Sequence, residues 1–349
     1  MRFFYTLLLF CCCFICEAQD PYFSQYYAAS QQTNPVMTGL FEGDIRANIN
    51  FREQWGSVTT AQPYRTIAAG FDMKKPFLKR DYMGFGITVL RDEALAELSS
   101  LTQNRAHISY AYAKHVGGNS RRNTDQYLII GGQGGIGQNM LGSNLWFSNQ
   151  FDSTTGAVDF SAASGETALA GTSDLYIDAN AGLMWYGLFG KNRSLYFGAA
   201  AHHLNSPNIT FFDAASSPLA IRYSVQAGGE LPLNRNLSFI PSIIGMKQAA
   251  SMTIMGGGSF RYNSHDLKEV ALRMGAWGQA SNRLENGVSI NALILGAAIE
   301  MTALQIGLSY DLTTSQLAAI NSGRGAFELS ITYVKPSKGR RLKVNCPKF

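Results

Sequence analysis

A chain of 349 residues with only 15% charged side chains falls well short of the roughly 25% of an ordinary soluble domain, so much of its surface avoids water. Beyond the N-terminus no run approaches the roughly 20 apolar residues of a spanning helix, which excludes a helical membrane protein and leaves a barrel, whose strands need only about 10 alternating residues each. The formal net charge of +5 collects in residues 335–349, where Lys335, Lys338, Arg340, Arg341, Lys343 and Lys348 stand without an acid; on an exported chain such a tail suits an anionic surface or a protein partner rather than nucleic acid.

In chain order, residues 1–18 read as a signal peptide. Met1 and Arg2 give a positive start, Phe3 to Cys16 is apolar throughout, and Cys16-Glu17-Ala18 offers a cleavage site that leaves Gln19 first. Phe10 before Cys11 and Ile15 before Cys16 are too large for a lipoprotein site. Once the signal is removed only Cys346 remains, so no intramolecular disulfide is predicted.

Residues 19–42 do not alternate. Asp20-Pro21-Tyr22-Phe23-Ser24-Gln25-Tyr26 and Asn34-Pro35-Val36-Met37-Thr38-Gly39 are dense in turn formers and aromatics, which predicts a structured plug or periplasmic cap. From residue 43 to 334 one pattern recurs. Ile45, Ala47, Ile49 and Phe51 alternate with Arg46, Asn48, Asn50 and Arg52, and near the end Phe327, Leu329, Ile331 and Tyr333 alternate with Glu328, Ser330 and Thr332. Such segments have one apolar and one polar face. About fourteen occur: 43–53, 64–73, 82–91, 104–115, 126–138, 175–188, 194–203, 220–230, 236–247, 251–262, 268–278, 288–300, 303–312 and 325–334. An even number of this size fits an all-β, antiparallel transmembrane outer-membrane barrel.

The connections sort by length. Lys74-Lys75-Pro76, Gly117-Gly118-Asn119, Gly190-Lys191-Asn192, Pro232-Leu233-Asn234-Arg235, Asn263-Ser264-His265 and Thr302-Ala303 are predicted as tight turns on one rim. Long segments near 140–173 and 204–219 fall on the other, although the connection at Gln248 to Ala250 is short. A soluble sandwich has no reason to sort its loops in this way. Arg46, Arg52, Asp178, Arg222, Glu269, Arg273 and Glu328 are assigned to a wide, wet lumen. Tyr64, Tyr82, Tyr127, Tyr196, Tyr262, Trp277, Tyr310 and Tyr333, near strand ends, are assigned to the membrane interfaces.

Chemistry is sparse. Gly132-Gln133-Gly134-Gly135-Ile136-Gly137 matches a dinucleotide-binding pattern but lacks the helix that pattern requires. His202 and His203 are adjacent and would face opposite sides of a strand, so they do not chelate a metal together. No catalytic residue, cofactor or metal is predicted.

The start of the exported segment, the Asn34-Pro35 turn ending in Gly39, Phe51-Arg52-Glu53-Gln54-Trp55 and the terminal Cys346-Pro347-Lys348-Phe349 resemble the PorP/SprF family of the type IX secretion system. Val36, Phe51 and Lys348 depart from that family's usual Ala, Tyr and Arg. The resemblance implies a Bacteroidota outer-membrane protein. Its partners would be an exported cell-surface protein or gliding adhesin outside, secretion machinery in the periplasm and outer membrane, and the surrounding outer-membrane lipid. The expected partner contacts are Asp20, Pro21, Phe23, Ser24, Gln25, Tyr26, Asn34, Pro35, Gly39, Arg340, Arg341, Cys346, Pro347, Lys348 and Phe349. The alternative is a solute pore, or a lipid-modifying barrel enzyme with His202 or His203 as its base.

Overall fold

Strict alternation at Ile45–Gln54 produces a strand with Arg46, Asn48, Asn50 and Arg52 buried and Ile49 exposed. The same inversion runs through the molecule. The computed structural model describes residues 19–56, 63–78, 80–95, 100–119, 124–142, 148–152, 154–159, 161–162, 171–190, 193–212, 216–263, 270–282 and 287–336. Within them lie the barrel strands β1 (Ile45–Gln54), β2 (Tyr64–Phe77), β3 (Asp81–Leu95), β4 (Ser100–Asn119), β5 (Thr124–Leu141), β6 (Tyr176–Phe189) and β7 (Ser194–His202). The second half supplies β8 (Arg222–Pro232), β9 (Leu237–Gln248), β10 (Ser251–Asn263), β11 (Ala271–Asn282), β12 (Val288–Glu300), β13 (Leu304–Thr313) and β14 (Arg324–Lys335). Each strand pairs with its sequence neighbours, and β14 returns to β1 with Lys335 opposite Ile45, closing the barrel.

Every predicted strand is present, but β3, β4 and β5 are longer than the sequence pattern suggested. Their hairpins stay paired to Leu95↔Ser100 and Asn119↔Thr124. The predicted turn Gly117-Gly118-Asn119 is absorbed into β4 by a bulge beyond His115 and by Gly118 at φ 116°. Lys74, Lys75 and Pro76 likewise belong to β2, with Pro76 opposite Tyr82. A local Gly or Pro signal gave way here to continued pairing with a neighbouring strand. The glycine pattern at 132–137 lies inside β5 with no helix after it.

The outer surface is apolar. Ile108 is 71% exposed while its chain neighbour His107 is 6% exposed. Phe71, Phe85, Ile87, Ile130, Leu183, Phe197 and Leu295 also point outward. Apolar out and polar in is the arrangement hydrocarbon requires of a closed sheet. One rim, here the terminal rim, carries both barrel ends and the connections 78–80, 233–236 and 301–303. The opposite loop rim carries the described parts of the β5–β6 and β7–β8 connections, with a small ribbon of Phe151–Asp152 and Ala157–Val158.

The aromatic assignment divides. Tyr64, Tyr262, Tyr310 and Tyr333 are exposed on the outer face, whereas Tyr82, Tyr127, Tyr196 and Trp277 are buried and point inward. The last four are not interfacial, because an inner segment gives them an apolar surface to cover.

Candidate functional site in the barrel interior

The interior is occupied by the segment that precedes β1. Starting from Gln19 at the loop rim, it passes along the lumen to the terminal rim and turns there into Ile45. Its local structure follows from its sequence. Asn34 accepts a hydrogen bond from the Val36 N–H at 3.1 Å, and Pro35 opens a single 3-10 turn, Pro35–Met37. Gly39 then takes φ 75°, a conformation that favours glycine. A one-turn helix, Ser30–Thr33, lies just upstream.

Three polar clusters hold this segment. At the loop rim, Arg105 Nη2 lies 2.7 Å from Asp20 Oδ1, while His203 Nε2 and Arg222 Nη1 lie 2.5 and 3.3 Å from Oδ2. The Asp20 N–H donates to Gln248 Oε1 at 2.8 Å, and the Gln19 amide donates to the Ser251 hydroxyl. The other ring nitrogen of His203 meets Asp178 at 2.8 Å, and Asp178 also meets His107 at 2.8 Å. Burial alone would push the Asp20 carboxyl up, but Arg105, Arg222 and His203 together hold it well below the usual carboxylate range. Burial would lower His203, and its hydrogen bonds to Asp178 and Asp20 raise it instead.

Next along the segment, the N–H groups of Ser24 and Gln25 donate to the Glu328 carboxylate at 2.7 and 2.8 Å. The Ser24 hydroxyl donates to Asp311 at 2.7 Å, and Arg52 joins Asp311, at 2.9 Å, to Glu328. Near the terminal rim the Gly39 N–H donates to Asp72 Oδ2 at 2.7 Å. Arg46 pairs with the same carboxylate at 2.8 Å and donates to the Met37 carbonyl at 3.0 Å.

Apolar contacts fill the intervals. Val36, Met37 and Leu40 cluster with Tyr82, Tyr127, Ile129, Met184, Tyr186 and Tyr196. Tyr26 packs with Ile244, Met255, Trp277 and Ile294, and Phe23 and Ala29 with Ala68 and Leu90. Two crevices beside the segment, each of about 20 Å³, are bounded by Pro21, Tyr26 and Ile244 and by Gln19, Gln248 and Ser251, with Arg222 at both. Each has room for about one water. Of the charges expected to stand in a wide, wet interior, Arg46, Arg52, Asp178, Arg222 and Glu328 are stabilised by pairing instead, and Arg273 lies over the Tyr27 ring and donates to Ser259.

Among the sequence-derived contact candidates, Asp20, Phe23, Ser24, Gln25, Tyr26, Asn34, Pro35 and Gly39 are buried in this segment, and Pro21 is half-buried. All of them face the chain's own barrel wall. Arg340, Arg341, Cys346, Pro347, Lys348 and Phe349 lie outside the described residues, as do residues 1–18 and Glu269. His202 and His203 do not point to opposite faces. β7 ends at His202, and His203 at φ 60° turns its ring back into the lumen. His202 meets the Thr33 carbonyl at 3.3 Å. Sequence reasoning missed Asp72, Arg105, His107 and Asp311; their signal was membership of the polar parity of their strands, shared with Thr66, Ser109 and Ser309.

Solved structures similar in fold share little sequence with this chain. A TodX deltaS2S3 mutant monoaromatic hydrocarbon channel is 12% identical, with 90% of this chain and 95% of that chain covered and a TM-score of 0.49. The Ralstonia pickettii toluene transporter TbuX is 13% identical over 89% and 94%, also at 0.49. A bacterial polysaccharide outer membrane secretin is 9% identical over 84% and 99%, at 0.38. No curated protein is significantly similar to the chain. The family model described as type IX secretion system membrane protein PorP/SprF matches residues 15–333, and the chain belongs to that family.

Proposed function

We propose that this outer-membrane barrel is a non-enzymatic component of type IX secretion. In this role it supports the export or surface anchoring of a large cell-surface protein, of which a gliding adhesin is one example. The loop rim, facing outward, holds that protein through 142–175 and 203–221. The terminal rim faces the periplasm, where Arg340, Arg341, Cys346, Pro347, Lys348 and Phe349 engage the secretion machinery. Asp20, Ser24, Gln25 and the Asn34–Gly39 turn act from inside, as the plug that sets the state of the barrel.

One observation carries this reading: the chain's own segment runs through the lumen, anchored to Arg105, Glu328 and Asp72. An interior occupied in this way leaves the rims as working surfaces and disfavours a standing solute path. The test removes residues 337–349, leaving Lys335 to close β14 on Ile45. The expected result is a heat-modifiable barrel that stays in the outer membrane while its cognate protein disappears from the cell surface. Undiminished surface display after that deletion would refute the role of the tail.

A further inference from the structure

We infer that the barrel wall at the loop rim carries a carboxylate-binding site, built from Arg105, Arg222 and His203, and that Asp20 is its resident, displaceable ligand. The argument rests on which groups belong to the wall and which to the inner segment. Arg105, Arg222 and His203 come from β4, β8 and the residue after β7, so all three are held by the closed sheet. Asp20 belongs to a segment held by polar contacts and packing, with no strand pairing to the wall. Its two oxygens divide the three donors: Arg105 takes Oδ1, and His203 and Arg222 take Oδ2.

The charges do not balance without that ligand. Among the described residues Asp20 is the only carboxylate within ion-pair distance of Arg105 or Arg222. Asp178 is already shared by His107 and His203. Withdrawal of Asp20 would strand two guanidiniums whose side chains are only 8% and 12% exposed, and a buried cation without a counter-ion is costly. Arg222 Nε is buried with no acceptor, so the site has a donor to spare.

The site selects a carboxylate over a larger anion. A planar two-oxygen group matches the two-sided donor set. A tetrahedral phosphate would bring further oxygens toward Asp178 and the Gln248 side-chain oxygen, which meet His203 and the Asp20 N–H. The crevice lined by Gln19, Asp20, Arg222, Gln248 and Ser251 adjoins the loop rim. An acidic side chain or terminal carboxylate of a polypeptide arriving there would compete with Asp20, freeing the upper end of the segment. The site's chemistry stands by itself; only the source of that carboxylate, an exported polypeptide, rests on the secretion reading.

The experiment uses acetate as the probe on the full-length barrel in detergent. Asp20→Ala empties the site, and the midpoint of heat-modifiability is followed in sodium acetate, sodium chloride and sodium phosphate at equal ionic strength. Acetate is expected to raise the midpoint of D20A saturably, with neither other salt matching it, and the rise should vanish in the D20A/R222Q double variant. Coincident curves in all three salts would overturn the site, and equal rescue by phosphate would overturn its selectivity. Where D20A does not refold, hydrogen exchange on the unaltered protein decides. Acetate should accelerate exchange across residues 20–26 while the strands stay protected, and unchanged exchange overturns the inference. Because no exported partner is present, either failure leaves the secretion reading untouched.

Discussion

Gly39 of the inner segment and Gly84 of β3 meet backbone to backbone. A Cβ on Gly39 would lie 2.6 Å from the Gly84 Cα, and one on Gly84 would lie 2.2 Å from the Thr38 carbonyl oxygen. Neither obstacle is a side chain that could swing aside. Gly84 pairs with Lys74 and Ala111 in the ladder, so Gly84→Ala should spare the barrel and push the segment off the wall. Overpacking costs about 1–3 kcal/mol. Hydrogen exchange across residues 34–41 should therefore accelerate by roughly one to two orders of magnitude, with β3 unaffected. Equal protection in the variant would show that this contact does not fix the segment.

The cluster around Arg52 gives a sharper energetic test. Arg52 holds the carboxylates of Asp311 and Glu328 together under Ser24 and Gln25. Arg52→Met leaves two buried acids facing each other, and breaking a buried pair from one side costs about 3–5 kcal/mol. The temperature at which the compact band on a gel gives way to the unfolded one should fall clearly. Adding Asp311→Asn and Glu328→Gln should recover most of the loss, because no charge is then stranded. A single variant with an unchanged midpoint would remove this cluster from the list of anchors.

The strands were legible because the membrane imposes alternation on most of them. What fills the lumen was not, since a polar face shows that hydrocarbon is absent without showing what lies opposite. Trp277 illustrates what parity could have added: it shares its face with Arg273 and Gln279, both buried. Placing it at an interface meant trusting nearness to a strand end over side-chain phase. Tyr127 is harder, because Leu128, Ile129 and Ile130 are apolar on both faces of β5, and only the packing of Val36 and Leu40 explains why Tyr127 and Ile129 turn inward. The Asp20 motif was visible as a motif. Its partners Arg105 and His203 are separated from it by long stretches of sequence, and strand closure alone brings them together.

Protonation offers a test specific to the loop rim. The groups facing His203 and Asp20 are Asp178, Arg105 and Arg222, with His107, His202, Tyr176 and Asp92 around them. His203 is raised above its ordinary 6.5, so its contribution is complete below that pH and is lost as pH rises through the raised value. Asp20 is lowered from 3.8, so its contribution is complete above that pH and is lost as pH falls through the lowered value. Docking is therefore tightest between about pH 4 and 6.5. Heat-modifiability of the unaltered barrel should weaken as pH rises above about 6.5, and His203→Gln should flatten that slope. Identical slopes would assign the pH dependence to other groups.

Conduction separates a packed barrel from a standing pore. A sheet of fourteen strands encloses a lumen wide enough for water and ions when nothing fills it. Here the crevices beside Tyr22 and Arg222 hold about 20 Å³ each, enough for about one water and too little for a hydrated ion. The intact protein should therefore pass little current in a planar bilayer. Deleting residues 20–42 takes Asp20 from Arg105, while Arg46 and Arg52 keep the wall carboxylates Asp72, Asp311 and Glu328, and water entering the emptied lumen can solvate the charge left behind. The deletion variant should conduct strongly while staying heat-modifiable. A large, steady conductance from the intact protein would mean that the inner segment leaves the lumen unaided, and the three polar clusters would then be too weak to define the resting state.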